Sequence, residues 1–289
     1  MILALFSLAL FLLGSVAEVR GAASGVVHDS PQELPARMLT GPRRHNIRRA
    51  QPVAIPVIAD APAREVKPPV VIDLVPQQST LERILDRSGV DAKKRSLAAA
   101  VLGLLEPACL EQLRTFAVLY NHPQHRGLAG KGVILISGTV PDQEFIGLMM
   151  HEGLGHYRDI TCLTGTPASG VSEFRDGDAA VYNDDPSVAF YRISWLSEKL
   201  RRPDAAKSDF VTGYAYEGDN FEDLAESVAY YMTQETAFRE RASKNPVLGE
   251  KLAWLQKYMP KKTNIAAGPK WDGAIVWDAT KMGFEWTGK

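Results

Sequence analysis

The stretch from Phe145 to Ile160, FIGLMMHEGLGHYRDI, constrains this chain more than any other, because an apolar run leads directly into two histidines, a glutamate and two glycines. Two imidazoles with a carboxylate directly after the first are what a helical zinc site needs: the rings hold the metal and the carboxylate takes a proton from water. The usual spacing is H-E-x-x-H. Here His151 and His156 are five residues apart, with Gly155 between them and the metal-site spacing one residue too long. On a regular α-helix such a pair lies about 140° apart and cannot share an ion. A π-turn closes i to i+5 and returns both rings to one face. The spacing therefore predicts a π-turn within Glu152 to His156, made cheap by Gly153 and Gly155. A regular helix there would point instead to a site without metal.

A second helix is expected to complete the shell. Thr212 to Gln234 reads TGYAYEGDNFEDLAESVAYYMTQ, with Asn220 as N-cap and Phe221, Leu224, Ala225, Val228 and Met232 on one helical stripe. Glu222 and Glu226, four apart, project from one face. One carboxylate is expected on the metal and the other on an imidazole N–H.

The helix carrying the histidines is expected from Pro141 to Cys162, buried by Phe145, Ile146, Leu148 and Met149. Upstream, Ser79-Thr80-Leu81-Glu82 has the form of a capping box. A further helix is expected from Asp91 to Leu105, ended by Pro107, before the strands RTFAVLYN and KGVILISG. Between the strands lie His122 and His125, whose His-x-x-His spacing encloses a proline and has no neighbouring carboxylate, so it is read as a surface loop. Gly165 to Asp185, with Asp176, Asp178, Asp184 and Asp185, is read as a solvated loop; a calcium loop would need a different spacing. Asp185-Pro186 is expected to open a helix over SVAFYRISWLSEKL, and PVLGEKLAWLQKYM to form the last one. The final twenty residues hold three of the five tryptophans and are expected to form a hairpin or an extended cover. Together these elements define an α+β domain, mainly helical, with a small sheet packed on the helix of the histidines.

The N-terminus reads as export machinery. Met1 to Leu13 is apolar, and Ser15-Val16-Ala17 or Gly21-Ala22-Ala23 supplies a small-x-small cleavage pattern, although no Lys or Arg precedes the run. An uncleaved anchor is the alternative, and no stable membrane span is expected once the signal is removed. Residues 24–77 hold nine of the eighteen prolines and the cluster Arg43, Arg44, Arg48 and Arg49, the composition of a linker or pro-segment. The folded domain is expected over residues 78–289, with 1–23 as signal. Cys109 and Cys162 suit one optional disulfide in an exported protein, or two free buried thiols. A net charge of −1 gives no argument for nucleic acid.

The motif His151-Glu152-x-x-Gly155-His156 resembles the stretched zinc motif of dipeptidyl peptidase III. Tyr214, the run Glu222-Asp223-Leu224-Ala225-Glu226 and Asp159 after the second histidine resemble lethal-factor-type metallopeptidases. The resemblance covers about Gly132 to Met232. It implies a zincin-like fold of the gluzincin type and a secreted (periplasmic or extracellular) peptidase acting on a peptide or protein substrate laid along an edge strand, for which KGVILISG is the candidate. Zinc (Zn2+) would be held by His151, His156 and Glu222, with Glu152 as general base and Glu226 and Asp159 orienting the histidines. Because the Tyr-to-Glu interval is one residue longer than in the lethal-factor pattern, either Tyr214 or Tyr216 would stabilise the oxyanion. The same residues also fit a metal-dependent amidase acting on cell-wall peptide, or a zincin-fold binding module that has lost activity.

Overall fold

The computed structural model describes residues 79–121, 125–259 and 268–286. The expected signal segment, the linker and His122 lie outside them. The fold is α+β.

Helix α1 (Thr80–Arg87) starts at the anticipated capping box, in which Ser79 and Glu82 satisfy each other's backbone N–H. Helix α2 (Ala92–Leu102) is capped by Asp91 and stops three residues short of Leu105. Pro107 does not close it; it opens a separate short helix, α3 (Pro107–Leu110), as proline at a first turn can.

Three strands follow: β1 (Thr115–Leu119), β2 (Gly127–Gly130) and β3 (Val133–Ser137). Their order is β1-β3-β2, with β1 parallel and β2 antiparallel to β3. The β2–β3 hairpin turns at Lys131-Gly132, where Gly132 takes a φ of 76° that other residues rarely adopt. KGVILISG therefore supplies the central strand, and the expectation that it offers a free edge is corrected. The edges are β1 and β2, and β2, hidden in sequence behind the His-x-x-His that attracts attention first, is the one that borders the cleft described below.

A continuous rod crosses beneath this sheet: α4 (Asp142–Leu148), a π-helical stretch (Met149–Tyr157) and α5 (Arg158–Cys162). The expected π-turn is present and extends over nine residues rather than one turn. Beyond it the rod is pinned three times. Tyr157 donates to the Cys109 carbonyl at 2.7 Å, Arg158 is bidentate to Glu106 at 2.7 and 3.2 Å, and Cys162 is disulfide-bonded to Cys109 with Cα atoms 5.4 Å apart.

The acidic stretch after the rod is a hairpin rather than a loop. Strands β4 (Val171–Asp176) and β5 (Ala179–Tyr182) pair across Gly177, at φ 57°, and Asp178. Asp184 is tied into the hairpin base by Thr166 and Ser169, whose hydrogen bonds hold its carboxyl down at about 2. Helix α6 (Pro186–Ser194), capped by Asp185, also ends earlier than its composition suggests. Trp195 turns inward so that its indole donates to buried Asp223, and β6 (Trp195–Ser197) and β7 (Leu200–Arg201) form a second hairpin. Tertiary contacts here override local helix propensity.

Helix α7 (Gly213–Glu217) precedes α8 (Asn220–Thr233), the central helix, buried on nearly every side. The cap of α8 is Asp219, whose carboxylate accepts from the N–H groups of Phe221 and Glu222, and not Asn220, which forms the first turn. The fully buried Lys251–Asp223 pair, 2.7 Å, locks α8 against α10 (Pro246–Tyr258). Removing either partner of such a pair costs about 3–5 kcal/mol. Helix α9 (Glu235–Ala242) links α8 to α10. Residues 268–286 run back over the domain as an extended cover with one 3-10 turn at Ala279–Lys281. Among the described residues no helix is long and apolar enough to cross a membrane.

A candidate metal centre between the rod and helix α8

The π stretch and α8 approach closely enough to share one small site, and Gly155 permits it: a Cβ there would lie 2.7 Å from Ala225 Cα. Gly155 is thus required for contact between helices as well as for winding. At this crossing His151 and His156 converge, their ring centroids 4.9 Å apart. Oε2 of Glu222 lies 3.2 Å from Nε2 of both rings. Behind them, Nδ1 of His151 lies 3.0 Å from Oε1 of Glu226, a close approach without hydrogen-bond alignment, and neither atom has a hydrogen-bond partner. The other Glu226 oxygen accepts from the Thr212 hydroxyl at 2.7 Å and the Ala279 N–H at 2.9 Å.

A proton between these two atoms would sit on Nδ1, because a carboxylate only accepts. A neutral His151 then directs the lone pair of Nε2 at the Glu222 carboxylate. That face-off requires either a second proton or a cation. Burial alone would lower the His151 pKa, but the contacts with Glu222 and Glu226 outweigh it and raise the pKa well above the ordinary histidine value. Glu222 is half-buried, which would raise its pKa, yet the two imidazoles hold its carboxyl far below the usual range. These features fit a bound cation. His151, Glu152 and His156 each offer a ligand atom within 4.8 Å of the others, a grouping compatible with a metal ion.

Glu152 is buried beside this cluster. Burial raises its pKa, while the nearby histidines and Arg126 pull the other way. Its carboxylate rests on Gly127 of β2, where a Cβ would come within 2.3 Å of Oε1. Sequence reasoning passed over Gly127 and the strand containing it; the alternation of small residues in RGLAG was the available signal.

The two tyrosines separate cleanly. Tyr214 lines the cleft and donates to Oε1 of Glu222 at 3.0 Å. Burial, reinforced by the carboxylate of Glu222, raises its pKa and keeps the hydroxyl protonated. Tyr216 instead packs edge-to-face against Phe210 and under the guanidinium of Arg201, 3.9 Å from its ring, and does not line the cleft. Asp159 also departs from expectation. It accepts from the Tyr191 hydroxyl, and its link to His156 is electrostatic rather than a hydrogen bond. His125 borders the same cleft as the metal cluster, and Asp176 stands at its far side.

The cleft has a volume of about 520 Å³ and is walled on one side by β2 and on the other by Tyr214 and the C-terminal cover. Arg126 spans it, donating to Glu144, Thr280 and Asp278. Comparisons with protein families, curated proteins and solved structures find no match for this chain.

Proposed function

We propose that this chain is an exported zinc-dependent peptidase of zincin-like, gluzincin type, with His151, His156 and Glu222 as the ligands that would hold zinc. One observation carries the proposal: a single Glu222 oxygen stands 3.2 Å from both histidine Nε2 atoms. Donors bound at 2.0–2.1 Å to one tetrahedral ion are separated by about 3.3 Å. Zinc when bound supplies Lewis acidity, polarising a carbonyl and lowering the pKa of water.

The remaining chemistry belongs to the chain. Glu152, close to the histidines but not needed to complete the ligand triad, accepts the proton of the attacking water and returns it to the leaving amine; burial raises its pKa, the direction that strengthens a general base. The Tyr214 hydroxyl, protonated and already directed into the cluster, donates to the developing oxyanion. Glu226 fixes the tautomer of His151 from behind. The free edge of β2 offers backbone groups to an extended peptide, which then lies across Glu152. The Cys109–Cys162 disulfide supports an oxidising compartment, in keeping with an N-terminal export signal.

The test is metal analysis of the purified protein, together with a generic peptide library offered to wild type and Glu152→Gln. Stoichiometric zinc, with cleavage that chelators and the substitution abolish, is the expected result. Zinc-free protein, or cleavage unaffected by Glu152→Gln, rejects the proposal; zinc with no cleavage favours a binding module.

A further inference from the structure

Val276 to Thr280, in the C-terminal cover, is built into the cleft. Two glycines on different elements make room for it. A Cβ on Gly213 would meet the Trp277 ring at 2.7 Å, and a Cβ on Gly147 of α4 would meet Thr280 Cα at 2.8 Å. The backbone is fastened as well. The carbonyls of Val276 and Trp277 accept from the N–H groups of Gly213 and Tyr214 at 2.8 and 2.7 Å, and Asp278 takes Arg126.

Trp277 is therefore held by its own backbone, by its neighbour Asp278 and by one ring face on Gly213. Its centroid lies 6.1 Å from that of Tyr214. Despite this anchoring the side chain is 60% exposed, and it lines the cleft that contains His151, His156 and Glu152. Trp195 and Trp254, by contrast, are buried. A large aromatic surface left open to water costs free energy that a ligand covering it would recover. Because the backbone that carries the ring is fastened beforehand, less ordering entropy opposes that contact.

We infer that Trp277 forms a preorganised subsite for an apolar or aromatic side chain of a peptide, next to the bond presented to Glu152 and Tyr214. The inference rests on the peptidase reading for the word substrate, but the binding it describes does not require hydrolysis. It gives the C-terminal tryptophan-rich segment a role in selecting which peptides enter the cleft.

The test uses full-length protein and peptides that differ only in having Phe, Leu, Gly or Asp at each varied position, with cleavage sites mapped by mass spectrometry. Wild type is expected to prefer Phe or Leu beside the cleaved bond. Trp277→Ala is expected to raise KM for those peptides roughly tenfold or more, the scale of an aromatic hot spot, and to abolish the preference of Phe and Leu over Gly peptides, with zinc content unchanged; Trp277→Phe should retain most of the preference. Calorimetric binding of the same peptides to Glu152→Gln, with and without Trp277→Ala, gives a readout that needs no turnover. Trp277-dependent binding of Phe peptides without hydrolysis by wild type would reject the peptidase reading and keep the subsite. Hydrolysis whose preference survives Trp277→Ala would reject the subsite and keep the peptidase. Peptides that neither bind nor are cleaved with dependence on Trp277 overturn the inference.

Discussion

Glu226 grips His151 from behind: its Oε1 stands 3.0 Å from Nδ1, while its other oxygen is held by Thr212 and by the N–H of Ala279. Three segments distant in sequence thus fix the orientation of one imidazole. Thr212 is pivotal, because the same buried hydroxyl also accepts from the Ala215 N–H and caps the helix that carries Tyr214. Thr212→Val should leave the Ala215 N–H unsatisfied and Glu226 held by Ala279 alone, lowering stability by about 1–3 kcal/mol. It should also weaken zinc binding by roughly tenfold or more. Thr212→Ser should restore both, as read by denaturant melts and competition with a zinc chelator. Zinc affinity unaltered in the valine variant would show that His151 needs no such support.

Gly127 places a backbone directly under the Glu152 carboxylate. Gly127→Ala introduces a methyl group within 2.3 Å of Oε1, so the carboxylate must move. A shift of about 1 Å in a reacting group can lower turnover about a hundredfold. We expect kcat/KM to fall on that scale while zinc affinity stays within a few-fold of wild type. Full activity in the alanine variant would remove Glu152 from the role of base.

Asp159 makes stability depend on pH. Burial raises its carboxyl to about 7, with the Ser187 and Tyr191 hydroxyls acting in the opposite direction. An unfolded aspartic acid titrates near 3.9. Between these values the native state binds the extra proton, so this contribution is complete below about pH 4 and is lost as pH rises toward 7. In excess chelator, unfolding free energy should fall over that window with a slope approaching 1.4 kcal/mol per pH unit from this group, roughly the value of one proton. Asp185, raised by burial to about 6, adds to the lower part of the window. Asp159→Asn should flatten the profile, and adding Asp185→Asn should flatten it further. A wild-type profile rising from pH 4 to 7 would contradict the assignment.

The disulfide closes a sequence separation of 53 residues between α3 and the end of the rod. Chain entropy for a loop of that length corresponds to roughly 4 kcal/mol. The double variant Cys109→Ala, Cys162→Ala should lose about that much in urea denaturation, and a reducing agent should lower wild type to the same level without affecting the variant. Equal stability of wild type with and without reductant would argue against a structural bridge.

The candidate metal cluster was legible because its chemistry is written in short, local spacings. His151 and His156 demanded a π-turn, and Glu222 and Glu226 had to share a face of α8; both follow from helix geometry alone. What escaped depended on long-range packing. Tyr214 and Tyr216 differ by two residues, and only the packing of Tyr216 against Phe210 and Arg201 decides between them. Asp159 sits one turn past His156, where it was expected to reach an imidazole, yet Tyr191 from α6 claims it. Trp195 left helix α6 to reach Asp223, a partner 28 residues away. The β4–β5 hairpin was readable in hindsight from Asp176-Gly177-Asp178 between short β-prone runs, but its acidity suggested solvent. Strand β2, only four residues long and rich in glycine, carried almost no propensity signal.

The π-helical winding of Met149–Tyr157 also bears on how such a motif can change length. A π-turn takes up about one residue more than an α-turn, so the surplus is absorbed where it occurs and its rotation is not handed on to Tyr157, Arg158 and Cys162. An insertion in an ordinary helix would have swung those anchors by about 100° and broken all three attachments. Deleting Gly153 should therefore rewind the stretch to a plain α-helix of conventional H-E-x-x-H length with the downstream anchors still in phase. The long and the short forms of the motif become two windings of one rod, interchangeable by a single codon.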